Sequence, residues 1–573
     1  MTEPEEPLSR RAAREAEAAA RTRGRSRTGR LGKAPLSEGS SSQATPGQAP
    51  LANDALTERI LPAADLLATE ALVSVDHSIN QGSADGTSSI LAVDEAPTAE
   101  RGGIVAFVRR HPRAVLTTSL AVGFLLVATG AIFAGVAVGS ANAVAPVPVI
   151  TSTPTPDPRA LPTTIADPSR LRTCSIDALA RDERLTTLFG SVVNASTGEL
   201  LWDRQATIPV RTASVLKVLT AAVALSALGP DYRLLTRVVT GSTPGTVVLV
   251  GGGDATLSRL PPGQESVYSG APKLADLAAQ TVAAYTAANP DAPGITQVVL
   301  DSTYWSISDK WDSSWARSEQ TIGYHSEVTA LQVDGDRDDP TRLTSPRSTD
   351  PVARAGLAFA EELSLAGNPA GVPTISVGAA VGNTVLGQVQ SQPVSTLIGQ
   401  MLPRSDNTLA EMLARVSSKV IGLDGSAASL TRTFAGVLNT YGVPTAGISI
   451  RDGSGLSEFN AVPPQYVAEL FVVINGGGQN LSIIIGALPV AGVSGSLSSR
   501  FTGPNAIARG AVLAKTGWID TSYSLAGIVR APDGSVLTFS FHAIRDGISE
   551  NARAALDTLT TGVFSCGDNL SNN

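Results

Sequence analysis

Histidine, cysteine and lysine are scarce in this 573-residue chain, and each scarcity narrows the chemistry. The four histidines are His77, His111, His325 and His542. Two of them precede or abut a membrane-like segment, leaving two for the rest, too few for a His-rich metal site. No G-x-S-x-G elbow accompanies them, so nothing supports a Ser-His-Asp nucleophile. The two cysteines, Cys174 and Cys566, bracket the folded part of the chain almost end to end. Outside the cytoplasm they are expected to pair. In the chain-entropy account, closing so long a loop stabilises by roughly 5 kcal/mol. Aromatic residues make up only 4% of a chain rich in Ala and Gly, a folded but not aromatic-heavy composition. Net charge is −8 and the sequence pI about 5.3, which sets nucleic acid aside as a partner.

Lysine occurs at six positions: Lys33, Lys217, Lys273, Lys310, Lys419 and Lys515. Only Lys217 has a serine three residues before it, Ser214, ahead of an apolar run (residues 218–225) that reads as a buried helix. One helical turn would put the Ser214 hydroxyl and the Lys217 amine on one face, an arrangement for an activated nucleophile. Pro209 and Thr212 are candidate helix-start signals just ahead of it. A lone Ser-x-x-Lys is more often a capping serine and a chance lysine. Here, however, Ser405-Asp406-Asn407 follows, and then Lys515-Thr516-Gly517 with Trp518 behind it. Those three motifs in that order form the set used by penicillin-binding proteins and class A β-lactamases.

At this length roughly two or three domains are expected. Residues 1–100 carry Arg mixed with Glu and then a Ser/Pro/Gly-rich stretch, which reads as a disordered cytoplasmic tail. Residues 101–143 read as a membrane anchor. Within them residues 114–139 are uncharged and apolar, more than the ~20 needed to cross a bilayer. Arg101, Arg109, Arg110 and Arg113 precede that run and no charge follows until Asp157, so the N-terminus is expected inside and the C-terminal part outside. An uncleaved single-pass anchor is the favoured reading over cleavage at Ala141-Asn142-Ala143. Residues 144–170, rich in Pro and Thr, read as an extended linker. The outer region then divides into a first catalytic part (171–232), an inserted region (233–390) and a second catalytic part (391–566).

Within it, residues 188–193 and 200–204 suggest a hairpin around Ser196-Thr197-Gly198. Residues 234–240, 246–250 and 296–300 read as strands, and 274–288 and 350–365 as helices. Gly251-Gly252-Gly253-Asp254 lacks the ending of a phosphate loop and reads as a turn. Ser405-Asp406-Asn407 is placed just before a helix over 408–415, and Lys515-Thr516-Gly517 on a strand over 511–517. Residues 522–529 and 536–542 continue as strands and 549–559 as a closing helix. Three antiparallel strands packed by helices give an α/β sandwich.

With these motifs in place the outer region resembles the D-alanyl-D-alanine carboxypeptidase/endopeptidases, the class C low-molecular-mass penicillin-binding proteins. Residues 171–566 carry the resemblance, which extends to Gly252–Leu257, Asp452-Gly453-Ser454-Gly455-Leu456-Ser457, and Gly495-Ser496-Leu497 with Arg500. Ala255, Glu458 and Trp518 depart from the usual pattern. The resemblance implies a β-lactamase/transpeptidase-like sandwich with a large inserted α+β region projecting from it. It implies acylation of Ser214 by peptidoglycan stem peptides and by β-lactams, with no metal or organic cofactor. Lys217 would be the base and Ser405 a proton relay. Asn407 would hold the substrate amide, Lys515 and Thr516 the terminal carboxylate. The backbone N–H groups of Ser214 and Trp518 would form the oxyanion hole beside Gly517. The alternatives are a serine β-lactamase, for which no clear Glu-x-x-x-Asn partner exists, and a non-catalytic wall-binding relative. The balance between carboxypeptidase and endopeptidase activity, the stem-peptide side-chain preference and the oligomeric state are left open.

Overall fold

The structure, a computed structural model, describes residues 171–572. The expected tail, membrane anchor and linker lie outside the described residues. Among those described, no helix is long and apolar enough to cross a membrane.

The strands in chain order are β1 (Thr187–Asn194), β2 (Leu200–Arg204), β3 (Leu235–Thr240), β4 (Thr246–Val250), β5 (Gln297–Asp301), β6 (Thr374–Val377), β7 (Val385–Gln390), β8 (Val512–Ile519), β9 (Ser522–Arg530) and β10 (Val536–Ile544). The principal helices are α1 (Leu216–Ala227), α2 (Leu274–Ala288), α3 (Pro351–Leu365), α4 (Val394–Arg404), α5 (Asn407–Val420), α6 (Leu430–Leu438), α7 (Pro464–Gly476) and α8 (Asn551–Cys566).

The first sheet is antiparallel throughout, in the order β2-β1-β10-β9-β8. It has five strands rather than the three expected near the C-terminus, because the β1–β2 hairpin pairs with β10 across the length of the chain. Alternation along β9 separates its faces. Tyr523, Leu525 and Val529 join one apolar cluster with α8, whereas Ala526 and Ile528 join another with α1, α5 and α7. The sheet is therefore sandwiched between helical layers. Cys174 and Cys566, 392 residues apart, are joined as a disulfide that ties the first described residues to α8.

The second sheet, β6-β5-β4-β3-β7, is built wholly from residues 235–390. Its β4–β5 and β5–β6 pairs are parallel, and its β3–β4 and β3–β7 pairs antiparallel. Helices α2 and α3 supply its apolar cover through Leu277, Val282, Ala355, Phe359 and Leu363. The chain leaves and re-enters the first fold at one point. There Leu234 N–H donates to Ser391 Oγ and Ser391 N–H donates to Leu234 O, both at 2.9 Å. The Gly251–Gly253 stretch bends at Gly253 and packs closely on the start of β3, where a Cβ on Gly252 would meet Leu235 O at 2.2 Å.

Candidate active site

Ser214 does not sit inside an α-helix. It lies in a 3₁₀ turn, Ala213–Val215, that leads into α1, and the Thr212 side chain makes no cap bond. The turn carries a left-handed residue, Ala213, at φ 45°. A non-glycine residue there costs on the order of 1–3 kcal/mol and persists only where its surroundings hold it. Strand β9 does the holding: Ser524 Oγ donates to Thr212 O (2.7 Å) and Ser522 Oγ to Arg211 O (3.2 Å). Strand β8 passes so close that a Cβ on Gly517 would lie 2.1 Å from Ser524 Oγ and 2.9 Å from Thr212 O. Gly517 is therefore required by this close approach.

Lys217 is fully buried on α1. Its Nζ lies 3.0 Å from Ser214 Oγ and donates to Asn407 Oδ1 (2.7 Å) and to Ser454 O (2.6 Å). The carbonyl of Ser454 is held by a polar hub. Asp452 accepts from the N–H groups of Ser454, Gly455 and Ser457, from Asn460 Nδ2, and from Trp315 Nε1 at 2.8 Å. Glu411, buried on α5, accepts from Gly453 N–H and pairs with Arg415. Burial, with Asp452 adding, pushes its carboxyl up to about 7 against the pull of Arg415.

The second motif spans a helix-to-helix junction. Ser405 closes α4 in the left-handed region at φ 57°, Asp406 caps α5 by accepting from Leu409 N–H at 2.9 Å, and Asn407 opens α5. The helix thus begins at Asn407 and runs to Val420, longer than the expected 408–415. The third motif lies on β8. Lys515 Nζ donates to Ser405 Oγ (2.9 Å) and to Thr516 O (2.8 Å), and Thr516 Oγ1 is 2.7 Å from Ser496 Oγ. Trp518 is half-buried, its ring 6.1 Å from that of Tyr523. Ser214, Ser405, Thr516, Gly517 and Trp518 line one cavity of about 360 Å³, and Arg337, Leu343 and Arg347 line it as well. All three motifs therefore converge, though Lys217, Asn407 and Lys515 stand behind the lining residues rather than among them.

Both outer histidines are buried away from a triad role. His542 Nε2 is 2.7 Å from Ser540 Oγ, and burial pushes its imidazole down to about 4. His325 packs edge-on against Trp315 at 4.5 Å. Among the described residues no group of three or more His, Cys, Asp or Glu side chains could hold a metal.

The profile of the D-Ala-D-Ala carboxypeptidase 3 (S13) family matches residues 172–342 and 337–563. The chain belongs to this family. It is a serine-type D-Ala-D-Ala carboxypeptidase. The enzyme is similar to carboxypeptidase DacB of Mycolicibacterium smegmatis, 34% identical over 461 residues that cover 79% of this chain and 97% of that one. A carboxypeptidase of Mycobacterium tuberculosis is 35% identical over 404 residues, 69% of this chain and 84% of its own. The carboxypeptidase shares its fold with penicillin-binding protein 4 of Haemophilus influenzae, at TM-score 0.55 and 18% identity over 68% of this chain and 98% of that one.

Several residues of the site carry no motif of their own. Ser454 and Asp452 fall in a stretch that the resemblance includes without assigning it a task. Glu411 has one sequence signal, a carboxylate four residues before Arg415 on a helix. Arg337 and Tyr268 reach the site from the inserted region, and nothing in their local sequence marks them.

Proposed function

We propose that this carboxypeptidase cleaves the terminal D-Ala–D-Ala bond of peptidoglycan stem peptides through an ester on Ser214. The observation that carries the reading is Lys217 Nζ at 3.0 Å from Ser214 Oγ, with Asn407 Oδ1 and Ser454 O accepting from the same amine. An uncharged amine that gives two hydrogens to those acceptors keeps its lone pair for the serine proton. Ser214 Oγ then bonds to the carbonyl carbon, and its proton passes to Lys217. The C–N bond breaks as that proton passes from Lys217 by way of Ser405 to the leaving D-Ala amine, which leaves Lys217 uncharged again. Water attacks the ester, returns a proton to Ser214 and releases the shortened peptide.

Asn407 is assigned to the substrate amide as well as to Lys217. Thr516 and Ser496, with Lys515 behind them on Ser405 Oγ and Thr516 O, form a polar end of the cavity suited to the terminal carboxylate. The backbone N–H groups of Ser214 and Trp518 are assigned to the oxyanion, where one such donor is worth about 3–4 kcal/mol. β-Lactams would acylate the same serine; the Haemophilus influenzae relative has been solved in complex with one. Endopeptidase action on cross-links uses the same bond-breaking step and differs only in what leaves.

Labelled penicillin tests the nucleophile. Wild type is expected to take a slow-releasing label and folded Ser214→Ala none; label persisting in that variant places the nucleophile elsewhere. Mass analysis of digested sacculi separates free D-Ala from resolved cross-links. The apolar run at 114–139 supports a single-pass anchor with the tail inside and the catalytic region outside. Protease added to intact spheroplasts is then expected to remove the catalytic region and spare the tail, and protection of both contradicts that topology.

A further inference from the structure

Asp406 stands between two side chains of the proposed mechanism. Ser405 before it receives Lys515, and Asn407 after it receives Lys217. Both of its carboxylate oxygens are held. Oδ1 accepts from Leu409 N–H, and Oδ2 accepts from Arg337 at 2.9 Å and from the Tyr268 hydroxyl at 2.9 Å. Arg337 also donates to Tyr268 Oη (2.8 Å) and to Asp334 O (3.1 Å), and its guanidinium lies 4.9 Å from the centre of the Tyr268 ring. Arg337 and Tyr268 belong to the inserted region, between β5 and α3 and between β4 and α2 respectively. The three side chains are buried, with Arg337 at 2%, Tyr268 at 1% and Asp406 at 9% exposure.

We propose that the inserted region is part of the frame of the catalytic centre, and that Arg337 is a positioning residue that sets Ser405 and Asn407 by holding Asp406. The proposal rests on the Ser214 acylation reading above. Its physical basis is the cost of an unpaired buried carboxylate. Burial works to raise the Asp406 carboxyl, and Arg337, the Leu409 N–H and Arg347 together outweigh it and hold the group below the ordinary carboxylate range. The charged and titratable groups around Asp406 are Arg337, Arg347 and Tyr268 from the insert, Arg404 on α4, and Lys217 and Lys515, which meet its two neighbours. Arg337 alone among the cations bonds the carboxylate directly, among the described residues. Without it, Asp406 is left to protonate or to swing toward water, and either movement displaces the residues on both sides.

The acylation rate constant with fluorescent penicillin, followed from about pH 4 to 9, tests this. The variants are Arg337→Gln, Arg337→Lys and the double variant Arg337→Gln/Asp406→Asn. At neutral pH Arg337→Gln is expected to acylate roughly 100-fold more slowly, the scale of loss from a small misplacement of reacting groups. Its acid limb is expected to move to higher pH, because the carboxylate has lost its cation. Arg337→Lys is expected to keep the acid limb near that of wild type. The double variant is expected to lose the displaced limb and recover part of the rate, since Asn still caps α5 without a charge. A packing role alone gives one deficit at every pH and no recovery from Asp406→Asn. Should Arg337→Gln fail to fold, the lysine and double variants carry the test. An Arg337→Gln acid limb that coincides with wild type overturns the proposal, as does a double variant that keeps the displaced limb. Loss of label in Ser214→Ala, run alongside, keeps the nucleophile assignment standing in either case.

Discussion

The two motif lysines carry the same formal charge and have different surroundings. Lys217 faces a hydroxyl, an amide oxygen and a backbone carbonyl, all neutral. Lys515 faces Ser405 and Thr516 O beside the polar end of the cavity. A base must lose its proton, and arginine does not do so in a protein. Lys217→Arg is therefore expected to abolish acylation by substrate and penicillin alike, with circular dichroism confirming the fold. Lys515→Arg keeps the cation and can pair with a carboxylate, so measurable acylation is expected to remain, while Lys515→Ala loses far more. If Lys217→Arg acylates at the wild-type rate, Lys217 is not the base. The motif residues were legible in the sequence because three short patterns in a fixed order seldom arise together by chance. Ser454 and Asp452 were not legible as parts of the lysine site, because a backbone carbonyl leaves no trace in residue identity.

The turn before α1 depends on its neighbours more than on its own sequence. Spacing suggested a plain helical turn, yet Ala213 is left-handed, and two β9 serines pin the carbonyls on its N-terminal side. Helix propensity gives no sign of such a device, since it arises from a strand more than 300 residues later in the chain. The β8 strand was legible as the strand that carries Lys515-Thr516-Gly517; that it must be bare at Gly517 was not. Gly517→Ala places a methyl group 2.1 Å from Ser524 Oγ, so the strand, the serine or the turn must move. The expected result is a loss of acylation of roughly 100-fold or more, with a stability cost of about 1–3 kcal/mol, typical of overpacking. Acylation kinetics and urea unfolding separate the two effects. A variant that loses stability without slowing acylation would show that β8 does not fix the nucleophile turn. Ser524→Ala relieves that contact but releases the Thr212 carbonyl, and it is expected to slow acylation less than Gly517→Ala.

For the whole molecule, the main departure from expectation concerns the insert. Its place between the first and second motifs was readable, and so were three of its strands and its helices α2 and α3. The expectation of a region projecting from the core fits the second sheet, which has an apolar cluster of its own. It does not fit Val267, Tyr268, Trp305, Trp315, Val328 and Ala330, which belong to the same cluster as α1, α4 and α5. Nor does it fit the polar links from Arg337 to Asp406, Trp315 to Asp452 and Asp309 to Arg415. Those contacts join residues far apart in the chain, and period and composition are silent about them. A direct experiment follows from the geometry of the junction. Because Leu234 and Ser391 already bond to each other, residues 235–390 can be replaced by a short Gly/Ser linker without stretching the chain. If the insert only presented substrate, the excised enzyme would fold and still acylate with penicillin, which is far smaller than a wall peptide. The shared core predicts the opposite. Excision uncovers the apolar faces of α1 and α5, each large side chain being worth about 1.5–3 kcal/mol when buried. It also takes Arg337 and Tyr268 away from Asp406, Trp315 from Asp452 and Asp309 from Arg415, at a further cost for each. The excised chain is expected to show no cooperative unfolding transition and to take no penicillin label, even with the Cys174–Cys566 bridge intact. An excised enzyme that melts cooperatively and acylates within about tenfold of wild type, a margin of roughly 1.4 kcal/mol, would return the insert to the role of a projecting module.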